Sequence, residues 1–109
     1  MRGKIVLIPF PFTDLTSAKL RPALVLYEGE RDVVAAFISS RLPEKDSPES
    51  VLISDEHREF QLTGLKVSSV VRLDKVATVL KDLVVGEIGE VGDRLKREIN
   101  GKLQKVYRL

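Results

Sequence analysis

The residues whose types and spacing can do chemistry are Arg21 before Pro22, Ser39 and Ser40 at the end of an apolar run, and Arg72 two positions before Asp74. A guanidinium stays protonated in proteins and presents a donor fork that matches phosphate oxygens. A carboxylate can take up a proton, and a serine hydroxyl can donate to an oxygen or orient it. Each group also has an ordinary structural reading. Arg21 alone is a surface arginine that precedes a proline, and Ser39 is equally well a hydroxyl satisfied at a strand end. Arg72 and Asp74 can be a partly exposed ion pair along one strand face, worth no more than ~1 kcal/mol.

Other chemistries are excluded by what the chain lacks. It has 109 residues, no Cys and a single His. Zinc knuckles, Fe–S clusters, thiol nucleophiles and disulfide frameworks are therefore ruled out, and one His cannot build a His-rich metal site. No Gly-rich phosphate loop, HExxH or G-x-S-x-G occurs. His57, within Asp55-Glu56-His57-Arg58-Glu59, reads as a solvated side chain in a charged loop. Asp55 and Glu56 are adjacent and point to opposite sides of an extended chain, which makes them a poor metal pair. No cofactor and no metal are expected.

The elements that must position these groups are mostly strands. Residues 4–8 are β-branched and aliphatic, and Pro9 and Pro11 are expected to stop or bulge that strand. Residues 12–20 read as a loop, followed by a strand over 23–27 that Arg21-Pro22 leads into in extended conformation. Gly29 and Asp32 mark a turn, 33–40 is a strand apolar on both faces, 42–48 is a loop and 51–54 a short strand. Over 66–74 the residues alternate, so Arg72 and Asp74 share a face, and 76–80 reads as a separate strand. The period then changes: Val91, Leu95, Ile99, Leu103 and Val106 form one stripe of an amphipathic helix. Many short strands closed by a single terminal helix indicate a small, partly closed β-barrel with the helix packed on it.

The length fits one domain, 1–109. No apolar run approaches the ~20 residues of a membrane span, and no leader segment is visible, so a cytoplasmic protein is expected. The net charge of +2 hides two poles, an acidic stretch over 44–59 and a basic one from Arg94 onward. Both read as solvated faces.

Four segments in order resemble the PemK/MazF-like toxins of type II toxin–antitoxin systems. They are Gly3-Lys4-Ile5-Val6-Leu7-Ile8-Pro9-Phe10-Pro11-Phe12-Thr13-Asp14, Lys19-Leu20-Arg21-Pro22-Ala23-Leu24-Val25-Leu26, Ala35-Ala36-Phe37-Ile38-Ser39-Ser40-Arg41 and Ser69-Val70-Val71-Arg72-Leu73-Asp74-Lys75. The Arg-Pro pair and the Val-Val-Arg-x-Asp segment are the most diagnostic. The resemblance implies an SH3-like barrel, a homodimer, and a metal-independent, sequence-selective endoribonuclease that cuts single-stranded RNA and is neutralised by a cognate antitoxin. It places catalytic roles on Arg21, Ser39, Arg72 and Asp74, with Ser40 the alternative to Ser39. Thr13, Lys19, Ser40 and Arg41 are the expected RNA contacts. Two departures stand out: Lys4 replaces the family's usual acid, and the segment 12–20 holds no His. Phe10 and Phe12 read as core rather than as a base-stacking platform. The alternative is a non-catalytic RNA- or antitoxin-binding barrel of the same fold.

Overall fold

The computed structural model describes residues 1–11 and 18–109, with residues 10, 11 and 18 described by their backbone alone. The strands are β1 (Lys4–Pro11), β2 (Ala18–Glu28), β3 (Asp32–Ser39), β4 (Ser50–Ile53), β5 (Ser69–Leu80) and β6 (Gly86–Glu90), and one helix, α1 (Asp93–Val106), follows them. They form one sheet in the order β4-β5-β3-β2-β1-β6, and each neighbouring pair runs antiparallel. Its curl and the terminal helix give the expected mainly β half-barrel.

The period-2 alternation sorts the core by face. Leu24, Ala36, Ile38, Val71 and Leu73 turn toward α1, whose Leu95 and Ile99 complete that cluster. Val6, Ile8, Ala23, Val25, Val33 and Ala35 turn the other way. β3 is thus buried on both sides, as its apolar run requires. The predicted helix stripe holds, with Val91 buried just ahead of the first helical turn.

Pro9 does not end β1, contrary to expectation. The pairs Leu7↔Pro22, Pro9↔Leu20 and Pro11↔Ala18 alternate along the ladder with β2. A proline has no N–H to exchange, so these are the non-hydrogen-bonded positions, where a backbone N–H would point away from the partner strand. On its other side β1 pairs with β6 only from Lys4 to Leu7. The missing donors therefore disrupt no ladder, and residues 18–20, expected in a loop, continue β2.

A second difference lies in β5, which is one strand of 12 residues rather than two. Its register on β3 jumps from Phe37↔Arg72 to Ala36↔Val76, leaving Leu73, Asp74 and Lys75 without a β3 partner. The strand bends there without breaking. β6 is a strand that pairs with β1, and a 3₁₀ turn at Phe60–Thr63 lies against it. That approach is tight. A Cβ on Gly89 would overlap the Leu62 and Thr63 backbone, and one on Gly64, at φ 71°, would overlap the Ile88 carbonyl.

Glu59 is not part of a solvated acidic face. It accepts hydrogen bonds from the backbone N–H groups of Arg94 and Leu95, both at 3.0 Å, satisfying two of the free donors at the start of α1. Gly92 makes room for it, because a Cβ there would strike the carboxylate. The Glu59 N–H donates to Nδ1 of His57 at 3.0 Å, so His57 helps orient the cap. Burial pushes the Glu59 carboxyl up, but donation from Arg94 and Leu95 outweighs it and the pKa lies below 4.5.

Glu59→Ala is expected to destabilise the fold by about 1–2 kcal/mol, read as a lower denaturation midpoint. A carboxyl held low in the folded state stabilises above its unfolded pKa and loses that contribution as pH falls below it. The wild-type midpoint should therefore drop on acidification past pH 4.5 more steeply than that of Glu59→Ala. Parallel acid limbs would contradict the assignment.

Candidate active site

The register between strands brings the predicted residues onto one face. Val6 is opposite Ala23, Ala23 opposite Phe37, Phe37 opposite Arg72 and Arg72 opposite Ser50. Residues directly opposite one another share a face, and so do residues two apart on one strand. Lys19 and Arg21 on β2 therefore share the face of Ala23, and Ser39 on β3 shares that of Phe37. The β2–β3 ladder ends at Ala23↔Phe37, and Arg21 and Ser39 follow two residues beyond it on adjacent strands. From strand spacing and rise, the Cα atoms of Arg21 and Arg72 lie about 12 Å apart with β3 between them. Positions 51 residues apart in sequence thus flank one strand.

The Arg72 side chain meets Asp74 in a two-pronged contact, Nε to Oδ1 at 3.1 Å and a terminal nitrogen to Oδ2 at 2.9 Å. About a third of each side chain is exposed, 31% and 36%, so the pair is reachable from solvent. The hydrogen bond from Arg72 holds the Asp74 carboxyl below its usual range, and Asp74 in turn raises the guanidinium. Asp74 is therefore ionised at neutral pH, and Arg72 keeps donors free for a second anion.

Ser39 is half-buried, and its Oγ accepts the Arg41 backbone N–H at 3.1 Å. That bond occupies a lone pair and leaves the hydroxyl proton to donate. Ser40 lies beyond the end of β3 and is exposed. Arg41 lines a cleft of about 470 Å³ together with Lys45, Glu49 and Arg72, so it joins the Arg72 end of the face. Lys19 and Arg21 are exposed at the β2 end. Thr13, Phe12 and the side chain of Phe10 lie outside the described residues. No group of three or more His, Cys, Asp or Glu suited to a metal occurs among the described residues.

Two features of this region escaped the sequence reading. Phe37 is a half-buried aromatic in the row between Ala23 and Arg72. Its spacing of two from Ser39 on a strand was the available signal. Lys102, read as part of a solvated basic face, instead turns inward and donates to the Ser50 carbonyl at 2.7 Å, the Ser47 carbonyl at 3.3 Å and Asp46 at 3.4 Å. The helix period held the signal: Lys102 lies seven residues from Leu95, three from Ile99 and four from Val106, which puts it on the buried stripe, whereas the exposed Lys105 falls on its flank.

The family model of PemK-like, MazF-like toxins of type II toxin–antitoxin systems matches residues 1–107. Among solved structures, the chain is similar to the Mycobacterium tuberculosis toxin MazF-mt6, with 18% identity, 97% of each chain covered and a TM-score of 0.76. It is also similar to an endoribonuclease solved in complex with its cognate antitoxin from a Mycobacterial species, at 22% identity over 100% of this chain and 95% of that one, TM-score 0.72. MazF from Deinococcus radiodurans aligns at 23% identity over 99% of this chain and 96% of that one, TM-score 0.71. At these identities the likeness is one of fold. No curated protein matches the chain at a significant level.

The Arg72–Asp74 contact carries a direct expectation. In a carboxyl titration followed by NMR, Asp74 should titrate below 3.8, and in Arg72→Gln it should move up toward that value. Because the pair is partly exposed, the same substitution should cost no more than about 1 kcal/mol of stability. An Asp74 titration unmoved by the substitution would show that the fork does not persist in solution.

Proposed function

Because the chain belongs to the PemK-like, MazF-like toxin family of type II toxin–antitoxin systems, we propose that it is a metal-independent endoribonuclease that cuts single-stranded RNA. What supports this reading is the shared face of Arg21, Ser39 and the Arg72–Asp74 pair. In such a cleavage the ribose 2′-hydroxyl attacks the adjacent phosphorus, its proton goes to a base, and the 5′-oxygen leaves with a proton. The products are a 2′,3′-cyclic phosphate and a 5′-hydroxyl. Arg21 binds the phosphate, stabilises the charge that grows on its oxygens and hydrogen-bonds the leaving 5′-oxygen, which takes its proton from solvent water.

Asp74 is the proton acceptor. While it is held in the Arg72 fork its proton affinity is low, which suits it poorly to that task. Transfer of one Arg72 donor from Asp74 to the arriving phosphate relieves this, so substrate binding itself raises the basicity of Asp74. Ser39 donates to a phosphate oxygen or orients the ribose. Lys19, Ser40, Arg41 and Thr13 hold the flanking backbone, and Phe37, packed against the cluster of Val6, Ile8 and Ala23, supports the face between them.

The same face is the docking surface for a cognate antitoxin, as an exposed face that presents Lys19, Arg21 and Arg72 takes an acidic segment. One neighbour of this fold was solved with its cognate antitoxin. We further infer a homodimer acting in the cytoplasm. Tyr27 on β2 and Val76 and Leu80 on β5, exposed by 54%, 40% and 57%, are apolar side chains that a second copy would cover.

Incubation of a long single-stranded RNA with the protein in EDTA should give fragments with 5′-hydroxyl and 2′,3′-cyclic phosphate ends, and Arg21→Ala should lose them. Cleavage that persists in Arg21→Ala would overturn the site. Salt-sensitive RNA binding by the folded wild type without any product would favour a binding barrel.

A further inference from the structure

The pair at Arg72 and Asp74 straddles the one stretch of β5 that leaves its neighbours. Leu73, Asp74 and Lys75 have no β3 partner, and the ladder with β4 ends at Ser50↔Arg72. Leu73 is nevertheless fully buried. A buried backbone N–H and carbonyl need partners, and here the sheet does not provide them. The Leu73 N–H finds the Glu49 carbonyl at 2.7 Å, and the Leu73 carbonyl accepts the hydroxyl of Tyr107, at the end of α1. The Leu73 carbonyl joins directly to the Asp74 nitrogen, so Tyr107 holds the peptide that links the two members of the pair.

The Glu49 carbonyl must itself be fixed, and α1 does this too. Lys102, with a side chain only 20% exposed, points its ammonium at the carbonyls of Ser47 and Ser50 and at Asp46. These acceptors bracket Glu49 in sequence, and the Ser50 N–H closes back onto the Ser47 carbonyl at 3.2 Å. A lysine brings three donors and no acceptor, which this set of three oxygens satisfies. Placing it here requires withdrawing a strongly hydrated charge from most of its water. A polar contact of that kind fixes geometry better than it adds stability.

We propose that the last turns of α1 form the positioning element of the Arg72–Asp74 pair, with Lys102 and Tyr107 as positioning residues that act through the backbone of Glu49, Ser50 and Leu73. Neither touches the substrate. Their effect is to set the angle at which the bend presents the Arg72 fork and the Asp74 carboxylate. The consequence for cleavage rests on the ribonuclease reading above, whereas the consequence for the geometry of the pair does not.

The test uses the intact protein with Tyr107→Phe, which removes only the hydroxyl, and Lys102→Met, which removes the ammonium and keeps an unbranched apolar chain of nearly the same length. Lys102→Arg, which keeps the charge, is the milder variant should the others melt. Two readouts are needed below the melting temperature of each protein. One is the NMR signal and solvent exchange of the Arg72 Nε–H, which reports the fork without any substrate. The other is cleavage of a single-stranded RNA in EDTA, resolved into kcat and KM. Tyr107→Phe and Lys102→Met should shift and expose the Arg72 Nε–H and lower kcat by about ten-fold or more with KM little changed, since a misplacement of about 1 Å can cost 10²-fold. Lys102→Arg should recover part of both. Folded variants with an unchanged Arg72 signal would overturn the proposal, whether or not RNA affinity falls. An altered Arg72 signal in a protein whose wild type never cuts RNA would leave the positioning role standing and remove the ribonuclease reading.

Discussion

The bend in β5 is the constraint on which the site depends. A strand that kept its register on β3 would continue past Arg72 in plain alternation, with Asp74 tied into the ladder. Instead three residues are released between Phe37↔Arg72 and Ala36↔Val76. The release lets the sheet curl, and it frees Asp74 to fold back onto Arg72 as a two-pronged acceptor. Irregularities of this kind commonly re-aim a side chain where a sheet carries function. The cost is a set of backbone groups without ladder partners, and the helix and the loop before β4 meet that cost.

The helix therefore does more than cover a hydrophobic face. Its first turn is fixed by Glu59, which comes from the connection between β4 and β5. Its middle buries Leu95 and Ile99 against the sheet. Its last turns reach the loop at Asp46, Ser47 and Ser50 through Lys102 and the bend through Tyr107. Both ends are thus tied to segments on either side of β4. Those contacts connect the packing of the core to the aim of the two charged groups.

Much of this architecture was legible in the residues. The unbroken apolar run over 33–38 marked β3 as a doubly buried strand, and the stripe from Val91 to Val106 marked the helix. The shared face of Arg72 and Asp74 follows from a spacing of two. What could not be read depends on neighbours in space. Pro9 looks like a strand terminator until its partner Leu20 fixes it at a non-hydrogen-bonded position. The bend looked like two strands because nothing in Leu73-Asp74-Lys75 signals that α1 will complete its backbone bonds. Glu59 reads as a solvated charge, since sequence shows charge but not the N–H groups that it will meet, whereas Lys102 lies on the helix stripe and its charge alone argued for solvent. The likeness of the four segments to a toxin family reached further than periodicity, because several motifs in order carry information that single residues do not.

The central claim is that Arg21, Ser39 and the Arg72–Asp74 pair form one surface that takes single-stranded nucleic acid. The most direct measurement is an NMR titration with a short single-stranded oligonucleotide whose sugars lack the 2′-hydroxyl, so that no cleavage intervenes. The account predicts that the Nε–H signals of Arg21 and Arg72 and the Ser39 amide move together, saturate at the same concentration and recover on addition of salt. Shifts centred instead on Arg94, Arg97 and Lys105, the exposed basic face of α1, with Arg21 and Arg72 unmoved, would contradict it.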